Sequence, residues 1–134
     1  MAAMNVVDGT VLGKIIARND SATFTEFLTE IDQVIPRHLD IHLVLDNGSS
    51  HSSPATRKWL AAHPRFHPHY TPTHASWLNR AEIWFSILTR RLLRRGEFTT
   101  REDLADKIIE FACDYDDNAK PFRWTYDGRP LKAA

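Results

Sequence analysis

The chain has 134 residues, 43% hydrophobic and 25% charged, which fits one globular domain whose core needs neither a disulfide nor a structural metal. Seventeen Lys and Arg balance seventeen Asp and Glu, so any polyanionic partner must be met by a local basic face rather than by net charge. The single cysteine, Cys113, excludes an internal disulfide, and no stretch approaches the roughly 18 apolar residues of a membrane span.

In chain order, Asn5 to Leu12 carries a hairpin signal, with Asp8-Gly9 as a tight turn and a second strand running on through Ile15, Ile16 and Ala17. A helix follows, with Thr23 and Glu26 as a capping box and Phe24, Phe27, Leu28, Ile31, Val34 and Ile35 as its apolar stripe; Pro36 stops it. Residues 41–46 form a strand with little alternation, the mark of a buried central position. Ser53 caps and Pro54 starts a helix over 54–62. Phe66 to Tyr70 reads as a short strand, placed at an edge by Pro68. A long helix is expected from Ser76 to Arg95, ending at Gly96, with Leu78, Ala81, Phe85, Leu88 and Leu92 buried. Thr99 and Glu102 suggest a cap for the last helix, whose stripe is Leu104, Ile108, Phe111 and Tyr115. The tail from Pro121 reads as irregular, pinned by Phe122, Trp124 and Tyr126. The order β-β-α-β-α-β-α-α is an α/β layer architecture, with helices packed on a mixed sheet.

Two acids stand out. Asp46 ends the apolar run from Ile41 to Leu45, at the carboxyl end of a strand, where ligands of open α/β sheets gather. Its bland alternative is a turn acid before Asn47 and Gly48. Glu82 lies on the long helix, roughly 90° from the centre of the expected stripe, at the border of core and solvent. Its bland alternative is an ordinary exposed glutamate. Arg90, Arg91, Arg94 and Arg95 form a basic cluster that suits DNA phosphates, or equally a solvated helix end. His63, His67 and His69 complete no standard zinc spacing. Asp46, Ser50 and His51 lack the Gly-x-Ser-x-Gly elbow of a serine hydrolase.

The block from Thr71 to Phe85, containing Trp77, Asn79 and Glu82, resembles the third catalytic block of DDE transposases of the bacterial insertion-sequence branch related to mariner elements. The block from Leu43 to His51 resembles the second, an apolar strand followed by Asp-Asn and then His. Their separation, 82 − 46 = 36, is also similar to the family's. Segments around Arg90–Gly96 and Lys120–Thr125 extend the likeness over nearly the whole chain.

The resemblance implies an RNase H-like fold and Mg²⁺- or Mn²⁺-dependent cleavage and joining of DNA strands. By it, Asp46 and Glu82 are catalytic metal ligands. Asn47, His51, Trp77, Asn79 and the four arginines shape the site or contact DNA. The family's first catalytic Asp lies on an earlier strand, upstream of the segment matched by Asn5–Gly13, and Asp8 falls in the hairpin turn instead. The expectation is therefore a single domain over 1–134 that lacks the first strand. It would be a truncated catalytic core with two of three carboxylates, an incomplete two-metal site and impaired activity. The rival expectation is a non-catalytic module that binds DNA or forms a homodimer through an open sheet edge. Met1 to Asn5 lack the features of a secretion signal, so a cytoplasmic location is expected.

Overall fold

The computed structural model describes residues 1–72 and 81–121. The elements are β1 (Ala2–Met4), β2 (Val11–Gly13), α1 (Ser21–Val34), β3 (Ile41–Leu45), α2 (Pro54–Ala62), β4 (Phe66–Tyr70), α3 (Ala81–Leu88), a π-helical turn (Thr89–Leu93) and α4 (Arg101–Asp117). Their order is the expected one.

The strands do not form one mixed sheet among the described residues. β1 and β2 make an antiparallel pair, and β3 and β4 a separate parallel pair. The hairpin is shifted from its expected place: its strands lie outside Asn5–Thr10, which is itself the turn. Asn5 N–H donates to Thr10 O, Gly9 N–H donates to Asn5 O, and Gly9 has φ +81°, where a side chain would be strained. Asp8 accepts from the hydroxyl and the N–H of Thr10, two bonds that hold its carboxyl below the usual range. It is a turn residue. Ile15, Ile16 and Ala17 fall outside β2, because pairing ends where Lys14 and Met1 exchange bonds.

The hairpin's alternation divides two hydrophobic clusters between its faces. Met1, Ala3 and Leu12 pack on the main core of Phe24, Phe27, Leu28, Ile31, Ile41, Leu45 and Phe66. Ala2, Met4 and Val11 pack with Trp84 and Leu88 of α3 and the half-buried face of α4.

β3 is not central. Ile41 N–H donates to Arg65 O and Leu45 O accepts from Thr71 N–H, so its odd-numbered peptides face β4. Those of His42 and Val44 face an edge without a partner strand among the described residues. Val44 is 53% exposed. The apolar run thus reflects one buried face plus Val44, not burial on both sides. Pro68 sits opposite Leu43 in β4, which is an edge as expected.

Local chemistry sets the helix ends. α1 is capped by Asp20, which accepts from Thr23 N–H, one turn ahead of the expected Thr23 cap. Its stripe is buried except at the end, where Val34 is exposed. α2 begins at Pro54 with Ser53 accepting from Thr56 N–H, as expected. α4 is capped by Thr100, one residue past the expected Thr99.

A buried ion pair closes the main core. Arg65 donates from Nε to Asp32 Oδ1 at 2.7 Å and from its other nitrogens to the carbonyls of Asp32, Ile35, Pro36 and Leu39. Arg37 adds a 2.8 Å bond to Asp32 Oδ2. Burial works to raise the Asp32 carboxyl, but the hydrogen bonds and charges of Arg65 and Arg37 outweigh it and hold the group below its ordinary value.

Candidate active site

Asp46 follows the last residue of β3, where the chain turns out of the ladder. Its Oδ1 accepts from Gly48 N–H at 3.0 Å, the bond of an Asx turn, and lies 2.7 Å from His51 Nδ1. His51 is fixed from behind by the ring of Phe24, with centroids 4.4 Å apart. The Asp46 side chain is 40% exposed, so it is open on its far side. Oδ2 makes no hydrogen bond among the described residues. One carboxylate oxygen is thus anchored and the other free, the arrangement a hard oxygen ligand needs to present itself to a cation.

Asn47 and two residues that sequence reasoning missed brace this turn. Asn47 Nδ2 donates to Thr71 O at 2.6 Å, and the Tyr70 hydroxyl donates to His51 O at 2.9 Å. Tyr70 carries no motif of its own, and Thr71 only opens the block that ends at Phe85. Their role follows only from the parallel register that sets Tyr70 beside Leu45. Ser50 is buried, its carbonyl accepts from Thr56 Oγ1, and its hydroxyl makes no bond to His51 among the described residues, so no hydrolase triad is assembled.

Glu82 has a different setting from the one expected. Trp84 and Leu88 are the buried residues of α3, whereas Phe85 is 40% exposed. Taking Trp84 and Leu88 as the stripe puts Glu82 about 140° from its centre, on the solvent face rather than at the core border. The physical reason is tertiary: the flat indole of Trp84 packs edge-on to Tyr115 and near Phe111 of α4, and α3 turns to seat it. The Glu82 carboxylate is in no ion pair among the described residues, and no contact there joins it to Asp46. No group of three or more His, Cys, Asp or Glu side chains among the described residues is placed to hold a metal ion.

The same face of the helix leads from Glu82 to the basic cluster. Ser86 Oγ donates to Glu82 O, and Arg90 Nε donates to Ser86 O at 3.4 Å, tracing an i, i+4 row. Phe85, Ser86, Thr89, Arg90 and Arg94 line a hollow of about 370 Å³. Arg94 N–H donates to Thr89 O, five residues back, so the π-helical turn re-phases the arginines. Arg90, Arg91, Arg94 and Arg95 are all exposed and in no ion pair among the described residues. Trp77 and Asn79, with the expected helix start at Ser76 and stripe residue Leu78, lie outside the described residues. So do Phe122, Trp124 and Tyr126.

His63 stacks on Trp59 at 3.7 Å and bonds to its carbonyl.

The comparisons bear on this arrangement. The family described as DDE superfamily endonuclease matches residues 1–105, from β1 into the first turn of α4. The chain is also similar to the Insertion element IS630 uncharacterized 39 kDa protein of Shigella sonnei, at 29% identity over 91 residues. That match covers 68% of this chain and 26% of the relative, so it spans about a quarter of the relative's length.

Proposed function

The chain belongs to the DDE superfamily endonucleases, and from that membership we propose that it is part of a transposase catalytic core, a single RNase H-like domain over residues 1–134 acting on DNA. Asp46 and Glu82 are its metal-binding acids. The observation that carries this reading is the Asp46 carboxylate, held at Oδ1 by Gly48 and His51 with Oδ2 free, in a chain of this family.

The residues fit a hard divalent cation. Carboxylate oxygens suit Mg²⁺ or Mn²⁺, which keep several waters and need few protein ligands. Such an ion, when bound, polarises the phosphodiester and lowers the pKa of the attacking water. This chain's own groups do the rest. His51 and Gly48 fix the orientation of the Asp46 carboxylate. Asn47, through Thr71, holds the turn that carries it. Glu82 offers a second carboxylate, and Arg90, Arg91, Arg94 and Arg95 bind phosphates along the face beyond it, so binding weakens as salt rises. Trp77 and Asn79 contact the DNA substrate.

Two acids supply less charge than the family's three. The outer edges of β1 and β3 are open, without a partner strand among the described residues. The isolated chain should accordingly bind Mn²⁺ weakly and nick DNA slowly or not at all. A Mn²⁺ titration followed by calorimetry tests the site: Asp46→Ala should abolish the heat of binding, and unchanged binding in that variant would sink the assignment. The same open edges favour a second reading, a protein-interaction module that self-associates through strand pairing. Light scattering with a salt titration of DNA binding separates the two. A stable dimer without DNA affinity supports the module, and a monomer with salt-sensitive DNA binding supports the catalytic core. No helix among the described residues is long and apolar enough to cross a membrane, and the proposed place of action is the bacterial cytoplasm, where the DNA is.

A further inference from the structure

The outer face of the β3–β4 ladder carries an imidazole cluster that the proposed activity does not use. His42 lies directly beside His67 across the parallel register and diagonally from His69. His42 Nδ1 and His69 Nε2 are 2.9 Å apart, while the ring centroids are 5.2 Å apart and the planes only 18° from parallel. A centroid separation that long with so short a nitrogen contact means that the rings meet edge to edge. Their nitrogen lone-pair directions face one another and share a single proton. His67 stacks on a face of His42 at 4.8 Å and turns its Nε2 toward Asp40, 3.8 Å away, so it is engaged elsewhere.

We propose that His42 and His69 form a cross-strand, two-imidazole site for a borderline divalent transition metal such as Zn²⁺, Ni²⁺ or Cu²⁺. Binding moves the shared proton to the outer nitrogen of the ring that carried it, so both imidazoles ligate as neutral donors through their facing nitrogens. Zn–N bonds of about 2.0–2.1 Å at a tetrahedral angle put the nitrogens roughly 3.3 Å apart, so the rings part by about 0.4 Å and swing on their exposed side chains. Water fills the remaining positions. Imidazole nitrogen selects these metals over Mg²⁺, which keeps to oxygen. The ion ties β3 to β4 four residues before Asp46, and it stabilises the folded chain by mass action. This site is independent of the catalytic reading.

The test is calorimetry and thermal melting of the full chain with NiCl₂, with MgCl₂ as comparison. Ni²⁺ should bind and raise the melting temperature, and an equal concentration of Mg²⁺ should not. His42→Gln and His69→Gln should each weaken Ni²⁺ binding at least tenfold, while His63→Gln leaves it unchanged. Absence of Ni²⁺ binding by the unsubstituted chain, or full binding by both variants, overturns the proposal. Should His42→Gln fail to fold, the exposed His69→Gln decides alone. Its Cu²⁺ complex should show one equatorial imidazole by electron paramagnetic resonance where the unsubstituted chain shows two, and two in the variant would overturn the site.

Discussion

The half of the molecule built on α1, α2, β3 and β4 and the half built on the hairpin, α3 and α4 are made by the same kinds of sequence but are packed very differently. The first buries seven hydrophobic residues in one cluster and closes it with the Asp32–Arg65 pair. Among the described residues the second buries only Val11, Trp84 and Leu88, α4 has no fully buried residue, and Trp84 Nε1 is a buried donor without a partner. Asp46 stands on the well-packed half and Glu82 on the other. The lesson is that the two acids of the proposed site are backed differently, Asp46 by a well-packed core and Glu82 by a sparsely buried one.

The sharpest way to break the contrast is Arg65→Ala. It leaves Asp32 buried without its main partner and removes donors from four carbonyls, so a loss of about 3–5 kcal/mol is expected in urea unfolding. A loss below about 1 kcal/mol would show that the pair does not anchor this half. Core truncations should rank the same way. Leu28→Ala, at a site 1% exposed, should cost about 2–5 kcal/mol, whereas Ile108→Ala on half-buried α4 should fall below that range. Equal costs would erase the distinction. Amide hydrogen exchange should agree, with α4 exchanging well before β3 and α1.

Acid should act on the well-packed half through Asp32. The folded Asp32 carboxyl lies below its ordinary 3.8, so its contribution is complete above that value and is lost as pH falls through the depressed one. Arg65→Ala should flatten that part of the stability profile below pH 4, and an unchanged acid limb would remove Asp32 as its source. The smallest effects are at the caps. Ser53→Ala and Thr100→Ala each remove one N-cap acceptor and should cost about 1 kcal/mol, measured by thermal melting. A much smaller cost at Thr100 would mark the start of α4 as already frayed.

Much of this could be read from the chain because it rests on interactions between near neighbours. The order of the elements, Ser53-Pro54 at the start of α2, the Asp8 turn, the edge position forced by Pro68 and the placement of Asp46 at a strand end all follow from residues within a few positions of each other. The caps at Asp20 and Thr100 were misplaced by a few residues or one, because neighbouring Ser, Thr and Asp compete for the same N–H groups and local sequence ranks them almost equally.

What tertiary structure decided depends on partners far away in the chain. The odd-and-even division of the hairpin's faces exists only because two cores lie on either side of it. β3 reads as central but has β4 as its one partner strand among the described residues, since an apolar run does not say how many strands flank it. Trp84 took the buried face of α3 from Phe85 because α4 offers Phe111 and Tyr115, and that choice turned Glu82 to solvent. The π-helical turn then re-phased the arginines. The sequence by itself determined which acids and cations are present and on which elements; only long-range packing decided where each one points, because hydrophobic burial is gained between elements and not within them.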